Sequence, residues 1–346
     1  MDLIKVYGLI DNAGASLGII TNALLLFTIF KVSSGKLQSF SYLILASSVF
    51  DVFFCVIEVL TQHQLLVRRG VVFIMPHGIE TILPPFSYYL FMTPHIFSCT
   101  HAVFILGPQY VFRYNLVTGN DATFLRLLKY VGVSSAAALF VGLSASVGIY
   151  QAKMRGDEFY LKQMDGPWFN SRAKEFFRYA CDIRDIGTIC FYGGAFVLTT
   201  VCFWVCAYYI WKTYRFMAES SAKLSERTKD LQRQFTWSLI VQTVNAIIFS
   251  IIPVSLICVS MLFRLDAEFV GMGDKYILGT MVPLSWLSTA NALLTLYIVK
   301  AYRRYVVSLI LCRCSIVVKP INSSAASKLQ STNIRSLEEP SERVVS

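Results

Sequence analysis

Seven long apolar runs alternate with polar joints along the chain, at residues 6–30, 40–60, 83–112, 127–150, 186–211, 235–263 and 276–299. A helix needs about 20 largely apolar residues to cross a bilayer. The pattern therefore predicts an all-α membrane protein, a bundle of seven transmembrane helices. The first run is longer than the ~7–15-residue core of a cleaved signal peptide, so it reads as a retained first helix.

The runs carry internal detail. Asp51 and Glu58 lie in the second run, where charge in lipid is costly and should turn to the bundle interior. The joint 61–82 holds the apolar stretch Val71-Val72-Phe73-Ile74, fit for a short strand or for lying against the bundle. Pro84-Pro85 suits a helix start, and Pro94, Pro108, Pro253 and Pro283 predict kinks inside helices three, six and seven. The fourth run is rich in Gly, Ala and Ser, which let helices approach closely. Residues 300–311 read as an amphipathic helix along the membrane surface, completing a seven-helix domain over 1–314. The Ser-rich remainder, 315–346, reads as a disordered cytoplasmic tail.

Charge sets the orientation. Nineteen Lys and Arg fall on the side of the first, third and fifth joints and the tail, and twelve on the other. The excess places the N-terminus outside and the C-terminus in the cytosol of a multi-pass plasma-membrane protein. Composition agrees with a bilayer as the main partner: 55% of residues are hydrophobic and 15% charged, against roughly a quarter charged in soluble domains. The net charge of +10 sits at helix ends and in the tail, which argues against nucleic acid as a partner.

Candidate chemistry is sparse. No phosphate-cradling loop, HExxH or GxSxG is present, so no enzyme and no cofactor are expected. Asp51, Glu58, His95 and His101 are ionisable groups at membrane depth, which keeps a ligand-gated ion channel or a membrane carrier as the rival reading. Asp51 is expected to bond a neighbour such as Asn291 as part of the structural core. His95 and His101 are six apart and face different ways, so no metal site is expected. Tyr88, Met92, His95 and Cys99 recur at helical spacing and form one stripe on helix three. That stripe could pack against helices two and four, or line a pocket for a small-molecule ligand.

Three motifs carry a resemblance. Phe112-Arg113-Tyr114-Asn115-Leu116-Val117 ends the third run. Ser225-x-x-Thr228-x-x-Leu231-Gln232-x-Gln234-Phe235-x-x-x-Leu239-x-x-Gln242-Thr243 leads into the sixth. Asn291-Ala292-Leu293-Leu294-Thr295 through Tyr302-Arg303-Arg304 closes the seventh. In this order they resemble nematode serpentine chemoreceptors of the Str-type superfamily, class d in particular. The resemblance departs at Ala292 and Ala246, where the family carries prolines.

It implies a chemosensory G-protein-coupled receptor of ciliated sensory neurons, sited at the sensory cilium. Such a receptor would bind a small-molecule or pheromone-like cue within the helix bundle and signal through a heterotrimeric G protein. Arg113 would be held inward at rest, and with Tyr114, Arg227, Lys229, Arg233 and Arg303 would form the G-protein-coupling face. Cys312 and Cys314 beside the amphipathic helix would be palmitoylated. Rhodopsin-like receptors tie helix three to the next outer loop by a disulfide. Cys181 lies in that loop, but Cys99 is roughly 24 Å below the helix start, so this bridge is expected to be absent.

The orientation is directly testable. The chain's one Asn-x-Ser/Thr site, Asn322-Ser323-Ser324, falls in the tail. A glycosylation site placed at the N-terminus should be modified and one in the tail should not; modification of the tail copy alone would reverse the assignment.

Overall fold

A computed structural model of the chain describes residues 3–32, 36–84, 87–119, 123–162, 178–219, 226–264 and 282–311. Helices α1 (Leu3–Val32) and α2 (Lys36–Thr61) are followed by strands β1 (His63–Arg68) and β2 (Val71–Pro76). Helices α3 (Ser87–Phe104) and α4 (Leu106–Thr118) together make the third span. Next come α5 (Phe124–Met154), the short α6 (Asp157–Leu161) and strand β3 (Tyr179–Asp182). The fifth span is α7 (Ile186–Glu219), and the sixth joins α8 (Glu226–Ala246) to α9 (Ile252–Leu262). The seventh is α10 (Val282–Ile298), after which the chain turns by 96° into α11 (Lys300–Ile310). α1 packs against α10 and α2, α3 against α5, and α5 and α4 against α7. The architecture is the seven-helix bundle that the hydropathy pattern predicts.

Small residues set the closest contacts. A Cβ placed on Gly142 of α5 would lie 2.8 Å from the Thr93 carbonyl of α3, and one on Gly187 of α7 would lie 2.3 Å from the Gly148 amide nitrogen of α5. The backbones of α5 and α7 therefore touch directly. In lipid such proximity supplies the dispersion energy that apolar burial supplies in water.

Two spans are broken, each beside a proline. Pro108 has no N–H to give the Phe104 carbonyl, and the helix lapses at Ile105. The thiol of Cys202 on α7 donates to the Val103 and Phe104 carbonyls at 3.4 and 3.8 Å. A partner helix thus takes over a bond the third span cannot make for itself. In the sixth span a π-turn, Ile247–Ile251, precedes Pro253, and the Ile252 N–H donates to the Ile247 carbonyl. Pro94 lies inside a continuous α3. Pro283 lies in the first described turn of α10, and the residues that precede it are outside the described ones.

The described residues of the joints 61–82 and 151–185 are more ordered than the hydropathy pattern implies. β1, β2 and β3 form an antiparallel sheet in that order. β1 and β2 pair from His63 with Pro76 to Arg68 with Val71, closed by Arg69-Gly70 with φ of 50° and 81°. Two positive φ values are the signature of a two-residue I′ turn, whose twist matches paired strands. Every residue of β2 and β3 is buried.

A polar cluster fixes β3 to the top of α5. Arg155 reaches Asp182 at 3.1 Å and Asp185 at 2.5 Å; Arg184 also pairs with Asp182, and the Tyr160 hydroxyl donates to it at 3.2 Å. Burial pushes the Asp182 carboxyl up, but hydrogen bonds and charge from Arg184 and Arg155 outweigh it and hold the group below its ordinary value. Among the described residues Cys99 and Cys181 are free thiols.

The Gly148–Gly187 contact yields a stability test. Gly187→Val should cost about 1–3 kcal/mol, because the overlap is with backbone that cannot rotate away. Gly193→Ala, with nothing within 4 Å of its added carbon, should be neutral. Thermal unfolding of the purified protein in a bilayer checks both.

Candidate functional site

The stripe on α3 does not face an open chamber. Met92 is buried beneath the three-stranded sheet with Val67, Val72, Tyr179 and Cys181. His95 is buried, its Nδ1 3.3 Å from both Thr61 Oγ1 and Glu58 Oε2 on α2. Cys99 Sγ lies 3.7 Å from His95 Nε2 and packs on the cluster of Phe54, Cys55 and Leu287. The side chain of Tyr88 is outside the described residues. His101 points elsewhere, bonding Ser135 at 3.1 Å and stacking on Phe97. The stripe is thus a seam against α2, the sheet and Ile149 of α5.

Other polar groups meet the seam. The His63 ring stands edge-on to His95, with centroids 4.5 Å apart, and its Nε2 is 2.7 Å from the Tyr179 hydroxyl. From α1, the Asp11 carboxyl lies against Glu58 and the Ser285 hydroxyl. Sequence reading noted Glu58 but missed Asp11, a lone acid inside the first apolar run; its signal was the cost of placing it there. His63 lies outside the spans, and burial, then the neighbouring His77, pushes its imidazole down to about 3.

Asp51 is buried in the core, but its partner is Ser288, whose hydroxyl donates at 3.0 Å, and the expected bond to Asn291 is not made. Asn291 instead accepts from Asn245 on α8 at 3.1 Å. Ser288 is one helical turn above Asn291 on α10, nearer the level of Asp51.

At the C-terminal end of the third span, Arg113 on α4 is 1% exposed. Its guanidinium donates to the Gln232 carbonyl at 2.6 Å and to Thr236 Oγ1 at 2.9 Å, both on α8. Tyr110, one turn up, meets Thr243 at 3.0 Å. A small cavity, about 10 Å³ and so roomy enough for about one water, adjoins Arg113 between Ser47, Gln109, Ser238 and Gln242. The Tyr114 ring carries Lys212 over it at 4.8 Å. Lys229 pairs with Glu226, Arg233 is exposed, and Arg303 sits over the Tyr297 ring at 5.4 Å. The side chain of Arg227 and both Cys312 and Cys314 fall outside the described residues, as does the tail.

The opposite face of α8 carries a polar ladder to α10 and α11. Asp230 pairs with Lys300 Nζ at 2.8 Å, and Gln234 Oε1 accepts the Lys300 backbone N–H at 2.9 Å. Ser238 and Gln242 both meet Thr295, and Asn245 meets Asn291. Gln234 therefore caps α11 from another helix. Polar residues spaced by three and four along 230–245 were the available signal, hidden in a segment read for its cations.

The chain matches the family described as "Serpentine type 7TM GPCR chemoreceptor Str" over residues 8–307. It is also 27% identical to serpentine receptor class delta-2 of Caenorhabditis elegans over 116 residues. That alignment covers 32% of this chain and 31% of the relative.

The buried imidazole gives a pH test with a definite sign. An unfolded His63 titrates near pH 6.5, whereas the folded ring resists protonation down to about 3. Stability is complete above 6.5 and declines as pH falls towards 3, by at most about 1.4 kcal/mol per pH unit from this group. His63→Gln should lose less thermal stability than the parent between pH 7.5 and 5; an equal loss would remove His63 as the source.

Proposed function

Because the chain belongs to the Str family of serpentine seven-helix G-protein-coupled chemoreceptors, we propose that it detects a small-molecule cue within its outer half and signals through a heterotrimeric G protein. The observation that carries this reading is Arg113. A guanidinium buried at the inner end of the third span and bonded to the backbone of the sixth ties together two elements whose separation would open a cytoplasmic cleft. A buried charge is retained at a cost in stability, which is reasonable when its release does work. No acid precedes it, Phe112 standing there instead, so α8 supplies the resting partners.

In this reading the sixth span is the moving part. Its π-turn and Pro253 allow bending above, while the Arg113 bonds and the Asp230–Gln234 ladder hold its inner end below. Outward bending frees Arg113 towards a G-protein helix, beside Tyr114, Lys229, Arg233 and Arg303, with Arg227 on the same helix. The N-terminus lies outside, the ladder side faces the cytosol, and the receptor works at the plasma membrane of a sensory cilium. The cue binds where Met92, His95 and Cys99 meet the second span and the sheet, with Tyr88 above them on the same helix. Cys312 and Cys314 are the proposed lipid attachment sites.

The ion-channel or carrier reading gains less support, because the polar groups at membrane depth are packed in place: His95 lies against Thr61 and Glu58, while His101 bonds Ser135 and packs on Phe50.

Arg113→Ala should reduce G-protein activation at least ~10-fold at unchanged surface expression, the loss of one or two charge-assisted bonds. Arg113→Lys should recover only part of it, since an ammonium lacks the planar fork. Nucleotide exchange on a co-expressed G protein measures both, and full signalling by Arg113→Ala would sink the assignment.

A further inference from the structure

Resting on the receptor reading above, we propose that Asp11 and Glu58 form the head-group subsite for a ligand carrying a protonated amine on a compact apolar body. Asp11 and Glu58 are 7% and 3% exposed, and their carboxyls lie against each other between α1 and α2. Asp11 Oδ1 and Glu58 Oε2 receive no hydrogen bond. His95 Nδ1 comes to 3.3 Å of Glu58 Oε2 but at an angle that makes no hydrogen bond. Among the described residues no lysine or arginine pairs with either acid.

The nearby donors are few and shared: the Ser285 hydroxyl, which lies against Asp11, has a single proton. Ser285 donates to the Val282 carbonyl at 2.8 Å, and Gln62 Nε2 donates to Asn12 Oδ1 at 2.9 Å. His95 Nε2 faces Cys99, and His63 Nε2 faces the Tyr179 hydroxyl. The site is therefore rich in acceptors and poor in donors. A buried acceptor left without a donor is costly, and a carboxylate more so than a neutral oxygen. An ammonium brings three donors and the missing charge in one group.

The surroundings select the rest of the ligand. Ala15, Phe54, Cys55, Leu284 and Leu287 form an apolar floor, and the sheet with Met92 and Tyr179 forms the roof. A metal ion fits poorly, since among the described residues no three His, Cys, Asp or Glu side chains come together as ligands. Entry requires the roof to shift, and the Tyr179–His63 contact is the bond that must break.

The proton balance gives the proposal its signature. Two buried carboxyls in contact hold a proton between them rather than both ionising. An incoming R–NH3+ replaces that proton: the ammonium enters, both acids become carboxylates, and one H+ leaves for solvent. Apparent affinity therefore rises with pH for as long as the amine stays protonated. A neutral alcohol of the same shape cannot drive the exchange.

The test uses the full chain in lipid nanodiscs, with hexylamine, phenethylamine and cyclohexylmethylamine against the corresponding alcohols. At least one amine should raise the unfolding temperature where its alcohol does not, and more strongly at pH 8 than at pH 6. Glu58→Gln and Asp11→Asn should each weaken that amine at least ~10-fold. Asp157→Asn, which removes a surface acid, should leave it unchanged. The pH comparison needs no variant, so a misfolding substitution does not blunt the test. Equal effects of amines and alcohols, no amine effect, or stronger binding at pH 6 would each overturn the proposal. The receptor reading falls separately, if the parent chain with that amine drives no nucleotide exchange on a co-expressed G protein.

Discussion

A backbone carbonyl set free inside a bilayer has no water to turn to, and the shape of this bundle follows from how each such group is served. Pro108 leaves the Phe104 carbonyl without its helical donor, and the thiol of Cys202 on the fifth span comes to it instead. That bond requires the third and fifth spans to lie close at mid-depth, where α4 packs on α7. Nearer the sheet, the bare faces of Gly148 and Gly187 allow the fourth and fifth spans the same intimacy. The breaks in the helices and the tightness of the packing are thus two sides of one constraint.

The same economy governs the end of the bundle away from the sheet. Arg113 is enclosed by α8, with one bond to a carbonyl and one to a hydroxyl that itself bonds the same carbonyl. The seventh span and α11 are attached to the other side of that helix through Asp230, Gln234, Ser238, Gln242 and Asn245. The sixth span is held by polar groups on two faces, whereas helices elsewhere meet largely through apolar side chains.

Much of this was legible in the sequence. Length and hydropathy pointed to a bundle of seven helices, and the motif around Phe112-Arg113-Tyr114 marked the end of the third. Apolar runs cannot report what happens between spans: Val71–Pro76 reads equally well as loop or strand until the pairing partner at Tyr179–Asp182, over a hundred residues on, is known. Partner choice was likewise hidden. Asp51 and Asn291 are both buried polar residues, yet one helical turn on α10 gives Ser288 to the first and leaves Asn245 to the second. The glutamines of the sixth-span motif were visible as letters, but their roles depend on a 96° turn after α10 that brings the Lys300 amide to Gln234.

That borrowed cap makes α11 an unusual helix. Its first amide is satisfied by a side chain on a different span, so its start is stable only while the two stay within hydrogen-bond reach. Separation of α8 from α10 would strand the Lys300 N–H and its ammonium together, at the boundary between membrane and water. The beginning of α11 is in that sense a strain gauge, wired across the gap between the sixth and seventh spans.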